Sequence, residues 1–313
     1  MPLPIVYHPD YMAPLKPGHR FPMSKYGYLR RALQSRGLLP QTGGFLAPSP
    51  ASDRMLAQVH ALDYVDRVLT QTRTAQETRA IGLPDTPAVA RRAQLSAAGT
   101  TLAARLALEG GLGLNMAGGS HHAGPLGGAG FCVFNDVAVA AQALLDEGQV
   151  VHVWILDLDV HQGDGTARIF ATDPRVRCLS IHGANNYPED KATSDMDVAL
   201  PDGTEDGAYL AALDGLLGQL APPWPDLVFY NAGVDPHESD RLGRLSLTSA
   251  GLRVRDHRVL TWCAQRAIPV TGVIGGGYSD APEELAARHA ILFEEAARVF
   301  GSSTGSVQGE RSP

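Results

Sequence analysis

ILDLDVHQGDG, residues 155–165, is the stretch that decides the fold. An apolar strand predicted over 150–157 runs straight into Asp157, Asp159 and His161. These three groups occupy alternate positions, so they face one side if strand pairing continues that far. A carboxylate and an imidazole together at a strand's C-terminal end form half of a divalent metal site. Gly163 and Gly165 are expected to turn the chain tightly, with Asp164 held between them. A buried strand does not carry so many ionisable groups without a reason.

Working outward, further strands are predicted at 112–116, 176–182, 226–231 and 269–274. Helices are predicted at 24–37, 85–110, 134–148, 164–171, 205–219, 249–266 and 281–299, with one or two short ones within 52–70. Ser24 is the expected N-cap of the first, and Gly37 its stop. The segments VHVWIL, LVFY and VTGVI are apolar throughout, as strands covered on both faces are. Alternating strands and helices mean βαβ units. The expected fold is therefore α/β, a three-layer α/β/α sandwich around a mostly parallel sheet. Residues 183–204 read as a long polar loop, and helix 85–110, with its Arg91-Arg92 pair, as a solvated surface helix. One domain is expected over 1–300, followed by a disordered tail at 301–313.

The composition is ordinary: 313 residues, 44% hydrophobic and 19% charged, enough for a large core. The net charge is -7, and no Lys/Arg cluster marks a nucleic-acid footprint. Cys132, Cys178 and Cys263 form no CxxC pair, which argues against a disulfide framework or a cysteine zinc site. The start MPLPIVYHPDYMAP lacks the charged and apolar regions of a signal peptide. No apolar run reaches the roughly 18 residues a membrane span needs. The expectation is a cytoplasmic, monomeric protein with no nucleic-acid or membrane partner. Its Ala/Arg/Leu/Gly-rich composition has a bacterial character.

Ligands of an open parallel sheet bind beyond the carboxyl ends of its strands. His121 and His122 follow strand 112–116, and Asp157, Asp159, His161 and Asp164 follow 150–157. Asp235 follows 226–231, and Tyr278 follows 269–274. Four strand ends thus deliver polar groups to one crevice.

With those residues in place, the chain resembles the zinc-dependent histone deacetylase superfamily, which has the arginase/deacetylase-like fold. The matching segments are GGSHHAGPLGGAGFCVFND, ILDLDVHQGDGT, LSIHG, NAGVDPH and IGGGYSD, in the family's order. The N-terminal YHPDYMAPLKPGHRFPMSKY is similar to the class IV branch and its bacterial relatives. Gln162, where class I members commonly have a second His, is a class IV-like trait, and Asp164 keeps an acidic partner where class II members tend to have Asn.

The resemblance implies a zinc ion on Asp159, His161 and Asp235, with an open position for water. The oxygen-rich donor set makes Fe(II) a competitor. It also implies a potassium ion near Asp157, the backbone of Asp159 and His161, Ser180 and Ile181. His122 would be the general base, oriented by Asp164, with His121 and Asp157 as its electrostatic partners. Tyr278 would donate to the oxyanion. Phe131 and Tyr187 would wall the substrate tube, and Gly130 would offer its carbonyl to the substrate. The implied activity is an amidohydrolase that removes an acetyl or longer acyl group. Its substrate would be lysine in a protein or peptide, or a small acylated amine. Two alternatives stand beside it. An arginase-like ureohydrolase would need a second metal, yet Gly163 stands where a DxHxD pattern needs its second Asp. A catalytically silent acyl-lysine binding protein would not need every catalytic position filled.

Overall fold

The structure is a computed structural model that describes residues 3–41 and 45–301. The tail expected at 301–313 lies outside these residues, except Gly301, which closes the last helix. Among the described residues seven strands form one sheet: β1 (Ile5–Val6), β2 (Leu112–Asn115), β3 (Val153–Asp157), β4 (Val176–Gly183), β5 (Met196–Leu200), β6 (Leu227–Asn231) and β7 (Val270–Val273). Their order is β1-β2-β7-β6-β3-β4-β5. Every neighbouring pair is parallel, so the sheet is wholly rather than mostly parallel.

The helices are α1 (Lys25–Ser35), α2 (Asp53–Leu56), α3 (Leu62–Leu69), α4 (Ala75–Ile81), α5 (Pro87–Gly110), α6 (Asp136–Asp146), α7 (Asp164–Ile169), α8 (Asp206–Gly218), α9 (Ser249–Gln265) and α10 (Pro282–Gly301). They surround the sheet as the outer layers of a three-layer α/β/α sandwich. α10 packs on α9 and α1, whereas α5 packs on α6 and β2. β2, β3, β6 and β7 are buried at every position, which is why they read as unbroken apolar runs. Among the described residues no helix is long and apolar enough to cross a membrane.

Several expectations are corrected. The strand predicted over 150–157 begins only at Val153 and ends at Asp157, so Asp159 and His161 are not strand residues. The polar loop expected at 183–204 contains β5. This short edge strand has alternating exposed positions and lacks the apolar run that marks the inner strands. Ser24 stands at the N-cap position of α1 but makes no capping hydrogen bond. α5 is not a solvated surface helix: Arg92 is buried, and its guanidinium donates to the Tyr11 carbonyl and the Tyr26 hydroxyl. α4 went unforeseen, although Thr74 and Glu77 form a capping box at its start.

The segment carrying His121 and His122 is anchored from α2–α3 by His60. Its Nδ1 donates to the Gly124 carbonyl at 2.9 Å, and its Nε2 accepts from the Asn135 N–H at 3.0 Å. Those two bonds occupy both nitrogens of the neutral ring. Burial pushes its pKa down to about 4, against the raising effect of the Gly124 bond. The unfolded imidazole binds a proton near pH 6.5, so the stability His60 contributes is complete above that pH and is lost as pH falls toward 4. At about pH 5 the loss is about 2 kcal/mol. Urea unfolding at about pH 7.5 and about pH 5 checks this. The wild type should lose on the order of 2 kcal/mol more than His60→Gln between the two conditions, and equal losses would clear His60 of the effect.

Candidate active site

Parallel pairing brings the strand ends into line. Asn115 pairs with Val273, Val273 with Asn231, Asn231 with Asp157, and Asp157 with Ser180. The loops that leave this edge from β2, β7, β6 and β3 are therefore neighbours, and they carry the candidate residues.

Beyond β3 the alternate spacing persists for a local reason. Asp157 Oδ1 accepts the Asp159 N–H at 3.1 Å, and Asp159 Oδ1 accepts the His161 N–H at 3.0 Å. Successive side-chain-to-backbone turns, not a strand, aim these groups. Gly163 has an ordinary φ of -73°, so left-handed freedom is not its use. A Cβ there would lie 2.4 Å from Asp157 Oδ2, and it is this close approach that calls for glycine.

Asp159, His161 and Asp235 are buried, and one ligand atom from each lies within 4.8 Å of the others. His161 Nδ1 is 3.0 Å from Asp159 Oδ1 and 3.2 Å from Asp235 Oδ2. The second contact is an ion pair and not a hydrogen bond, so Asp235 Oδ2 is buried without a hydrogen-bond partner. Burial, and then the Asp159 charge, push the Asp235 carboxyl up to about 7. For His161, burial works against the charged form, but the two carboxylates outweigh it and raise the pKa to about 10. An orphaned carboxylate oxygen and a trapped proton mark a place that fits a divalent cation, whose binding would release that proton.

The adjacent histidines differ. His121 Nδ1 lies 2.6 Å from Asp157 Oδ2, and His122 Nδ1 lies 2.6 Å from Asp164 Oδ1. Burial opposes charge on both. For His121, Asp157 and Asp159 outweigh it and raise the pKa to about 9. For His122, burial and the neighbouring His121 lower it to about 3, despite Asp164. Tyr278 is buried, and burial with Asp235 and Asp159 holds its hydroxyl well above the usual phenol range. It therefore remains a donor.

With this geometry in view, the comparisons are specific. The histone deacetylase domain model matches residues 19–293. The chain belongs to the histone deacetylase family. It is 44% identical over 304 residues to an uncharacterised protein of Picosynechococcus sp., covering 96% of this chain and 100% of that one. It is 32% identical to histone deacetylase 2 of Arabidopsis thaliana, covering 83% of this chain and 70% of the relative. A probable deacetylase of Archaeoglobus fulgidus is 30% identical, with 88% and 81% covered. Among solved structures, the HDA15 HD domain superposes with a TM-score of 0.76 at 24% identity, covering 95% of this chain and 90% of that one. An acetylpolyamine aminohydrolase from Burkholderia pseudomallei gives 0.76 at 23%, with 95% and 99% covered. These likenesses show the arginase/deacetylase fold.

His122, His161, Tyr278, Gly130, Phe131 and Tyr187 line one cleft of about 270 Å³. Phe131 has φ +67° and Gly130 φ +53°, and their N–H groups donate to Ile81 and Ala80 at the end of α4. The unforeseen helix thus positions one wall. Tyr187 is 47% exposed, and its ring centroid lies 4.7 Å from that of His122. A smaller cavity of about 30 Å³ lies against His121, His122 and Tyr278, walled by Phe21, Tyr26 and Arg92. Ser180 is buried beside Asp157, and its hydroxyl bonds His182 Nδ1 at 2.9 Å. Ile181 follows it on β4.

Sequence reading missed the residues that hold the loops. Asp136 accepts from the Ser120 and Gly119 N–H groups at 2.7 and 3.2 Å, just before the histidines. Asp240 accepts the Tyr278 N–H at 2.7 Å. Lys25 is buried and donates to the Gly275 carbonyl at 3.1 Å. Asn231 donates to Asp157 Oδ1 at 2.9 Å. Asp136 and Asn231 stand in the quoted motifs, and that placement was their available signal. Gly276 donates its N–H to Asp159 Oδ2 at 2.7 Å. A Cβ on Gly276 would lie 2.0 Å from Asp235 Oδ2 and 2.7 Å from Asp159 Oδ2. Gly276→Ala should therefore lower divalent-metal affinity at least about tenfold, with the far-UV circular dichroism unchanged. Chelator competition measures this; undiminished affinity would mean the carboxylates have room to move.

Proposed function

We propose that the chain is a zinc-dependent deacylase that removes an acetyl or longer acyl group from lysine or a related amine. The observation that carries this is the buried Asp159–His161–Asp235 group, with its unpartnered oxygen, set beside a neutral His122 whose Nδ1 is already engaged. A divalent cation held by those three residues would supply a Lewis acid that polarises the acyl carbonyl and acidifies water. Zinc is the proposed ion, with iron(II) as its competitor.

The chain's own residues would then do the following. Asp164 fixes the His122 tautomer, which leaves Nε2 free to take a proton from water and later return it to the departing amine. His121, held charged by Asp157, keeps a positive charge next to that base. Tyr278 donates its hydroxyl to the oxygen on which negative charge develops. Phe131 and Tyr187 flank the acyl-amine stem, and the Gly130 carbonyl accepts its N–H. We also propose a potassium ion near Asp157, the backbone of Asp159 and His161, Ser180 and Ile181. The proton transfers above do not use it. We further propose one catalytic unit over residues 1–300, monomeric and cytoplasmic.

The test is a panel of acetyl- to myristoyl-lysine peptides and acetylpolyamines, assayed after zinc reconstitution. Turnover on any member supports the reading, and zero across the panel rejects it. Within an active series, Tyr278→Phe should cost about 10²–10³ in kcat. A variant that kept most of its turnover would remove the oxyanion role from Tyr278.

A further inference from the structure

Arg255, on α9, heads the large side chains with no exposed surface. Its Nη1 donates to the Gly233 carbonyl at 2.6 Å and to the Leu158 carbonyl at 3.2 Å. Leu158 stands between Asp157 and Asp159, and Gly233 stands two residues before Asp235. The two carbonyls therefore belong to different loops, one leaving β3 and the other leaving β6. The candidate metal ligands are divided between the same loops: Asp159 and His161 on one, Asp235 on the other. One nitrogen thus ties together the two halves of the site.

The rest of the guanidinium is fixed from the opposite direction. Nε donates to Asp256 Oδ1 at 2.9 Å, and Nη2 lies 2.8 Å from the same oxygen as an ion pair without a hydrogen bond. Asp256 is itself buried and accepts the Tyr230 hydroxyl at 2.5 Å. Tyr230 lies on β6, one residue before Asn231. A buried ion pair costs desolvation that its own attraction often fails to recover. Two apolar side chains in the same space would carry no such cost, but neither would bond the two carbonyls.

We infer that Arg255 is a positioning residue for the metal site. It sets the separation of the β3 and β6 loops, so that Asp235 already faces Asp159 and His161 before a cation arrives. The inference rests on the divalent-cation reading proposed above.

Three variants of the full chain test it. Arg255→Met with Asp256→Asn removes both charges and leaves Tyr230 an acceptor, which avoids stranding a buried carboxylate. Arg255→Lys keeps the charge but loses the planar fork. Arg258→Met with Asp214→Asn removes a different ion pair made by α9, in which Arg258 bonds Asp214 and the Leu210 carbonyl on α8. Zinc affinity is read by competition with a chromogenic chelator, and folding by circular dichroism and the thermal midpoint of the metal-free protein. The Arg255/Asp256 variant should bind zinc about 10–100-fold more weakly, with Arg255→Lys in between. The Arg258/Asp214 variant should shift the midpoint without moving the affinity, which separates positioning from a general loosening of α9.

A folded Arg255/Asp256 variant that binds zinc within about twofold of wild type overturns the inference. If that variant does not fold, Arg255→Lys decides by the same criterion. A wild-type chain that binds neither zinc nor iron overturns the cation reading itself, and the inference falls with it. Wild-type binding with unchanged variants overturns the inference alone.

Discussion

Three carboxylates, Asp157, Asp159 and Asp235, are buried at one sheet edge, and the arrangement of everything near them answers that crowding. Isolated buried charge is prohibitively costly, so each carboxylate must find protons, donors or cations. Asp157 is engaged on both oxygens, by His121, Asn231 and the Asp159 N–H. Asp159 takes the N–H groups of His161 and Gly276. Among the described residues Asp235 accepts the Val160 N–H on one oxygen, and its other oxygen makes no hydrogen bond, with His161 Nδ1 3.2 Å away. The shortage is thus concentrated on one atom, where Asp235, Asp159 and His161 converge. A divalent cation is the species that would resolve it, displacing the proton that His161 otherwise keeps.

The same crowding separates two chemically identical neighbours. His121 and His122 are adjacent in sequence, equally buried, and each bonded at 2.6 Å to a carboxylate. Yet His121 also feels Asp159, whereas His122 feels His121 itself. One ring is pushed toward the charged form and the other toward the neutral form. Paired groups whose environments drive their pKa values apart are how a site assigns acid and base roles. In the proposed mechanism this assignment would come from the order of the loop. The residue nearer the carboxylate cluster takes the charge, and that charge keeps its neighbour free to accept a proton.

Much of this was legible because the informative residues are polar groups interrupting apolar strands. The runs in β3, β6 and β7 announced a two-sided parallel sheet, and Asp157, Asp159, His161 and Asp235 stood out at their ends. The alternate spacing after β3 pointed to the right residues for a partly wrong reason, since side-chain-to-backbone turns replace the strand there. β5 stayed hidden because a short half-exposed edge strand has no apolar run. Arg92 misled because a buried arginine reads like any surface one. Asp240, Lys25 and Arg255 stayed hidden because the partners that tie them to the site, at Tyr278, Gly275, Leu158 and Gly233, are backbone groups distant in sequence. No spacing rule encodes which carbonyl a side chain will reach after folding.

That division between side-chain chemistry and backbone support bears on how substrate range relates to mechanism. The groups nearest the proposed reaction are buried and fixed through backbone contacts: Gly276 through its N–H, Tyr278 through Asp240, and the β3 and β6 loops through Arg255. The mouth of the cleft is built differently. Phe131 hangs from the end of α4, and Tyr187 is half-exposed on a loop. Nothing that sets the charge on His121 or the donor state of Tyr278 depends on the size of the Tyr187 side chain. Changes there would alter which acyl-amine fits, and at Tyr187 also the burial of the His122 ring that it covers. In the proposed reading, a buried site held by main-chain bonds would let one reaction serve several substrates, and residues 155–165 would define that reaction without specifying its acyl group.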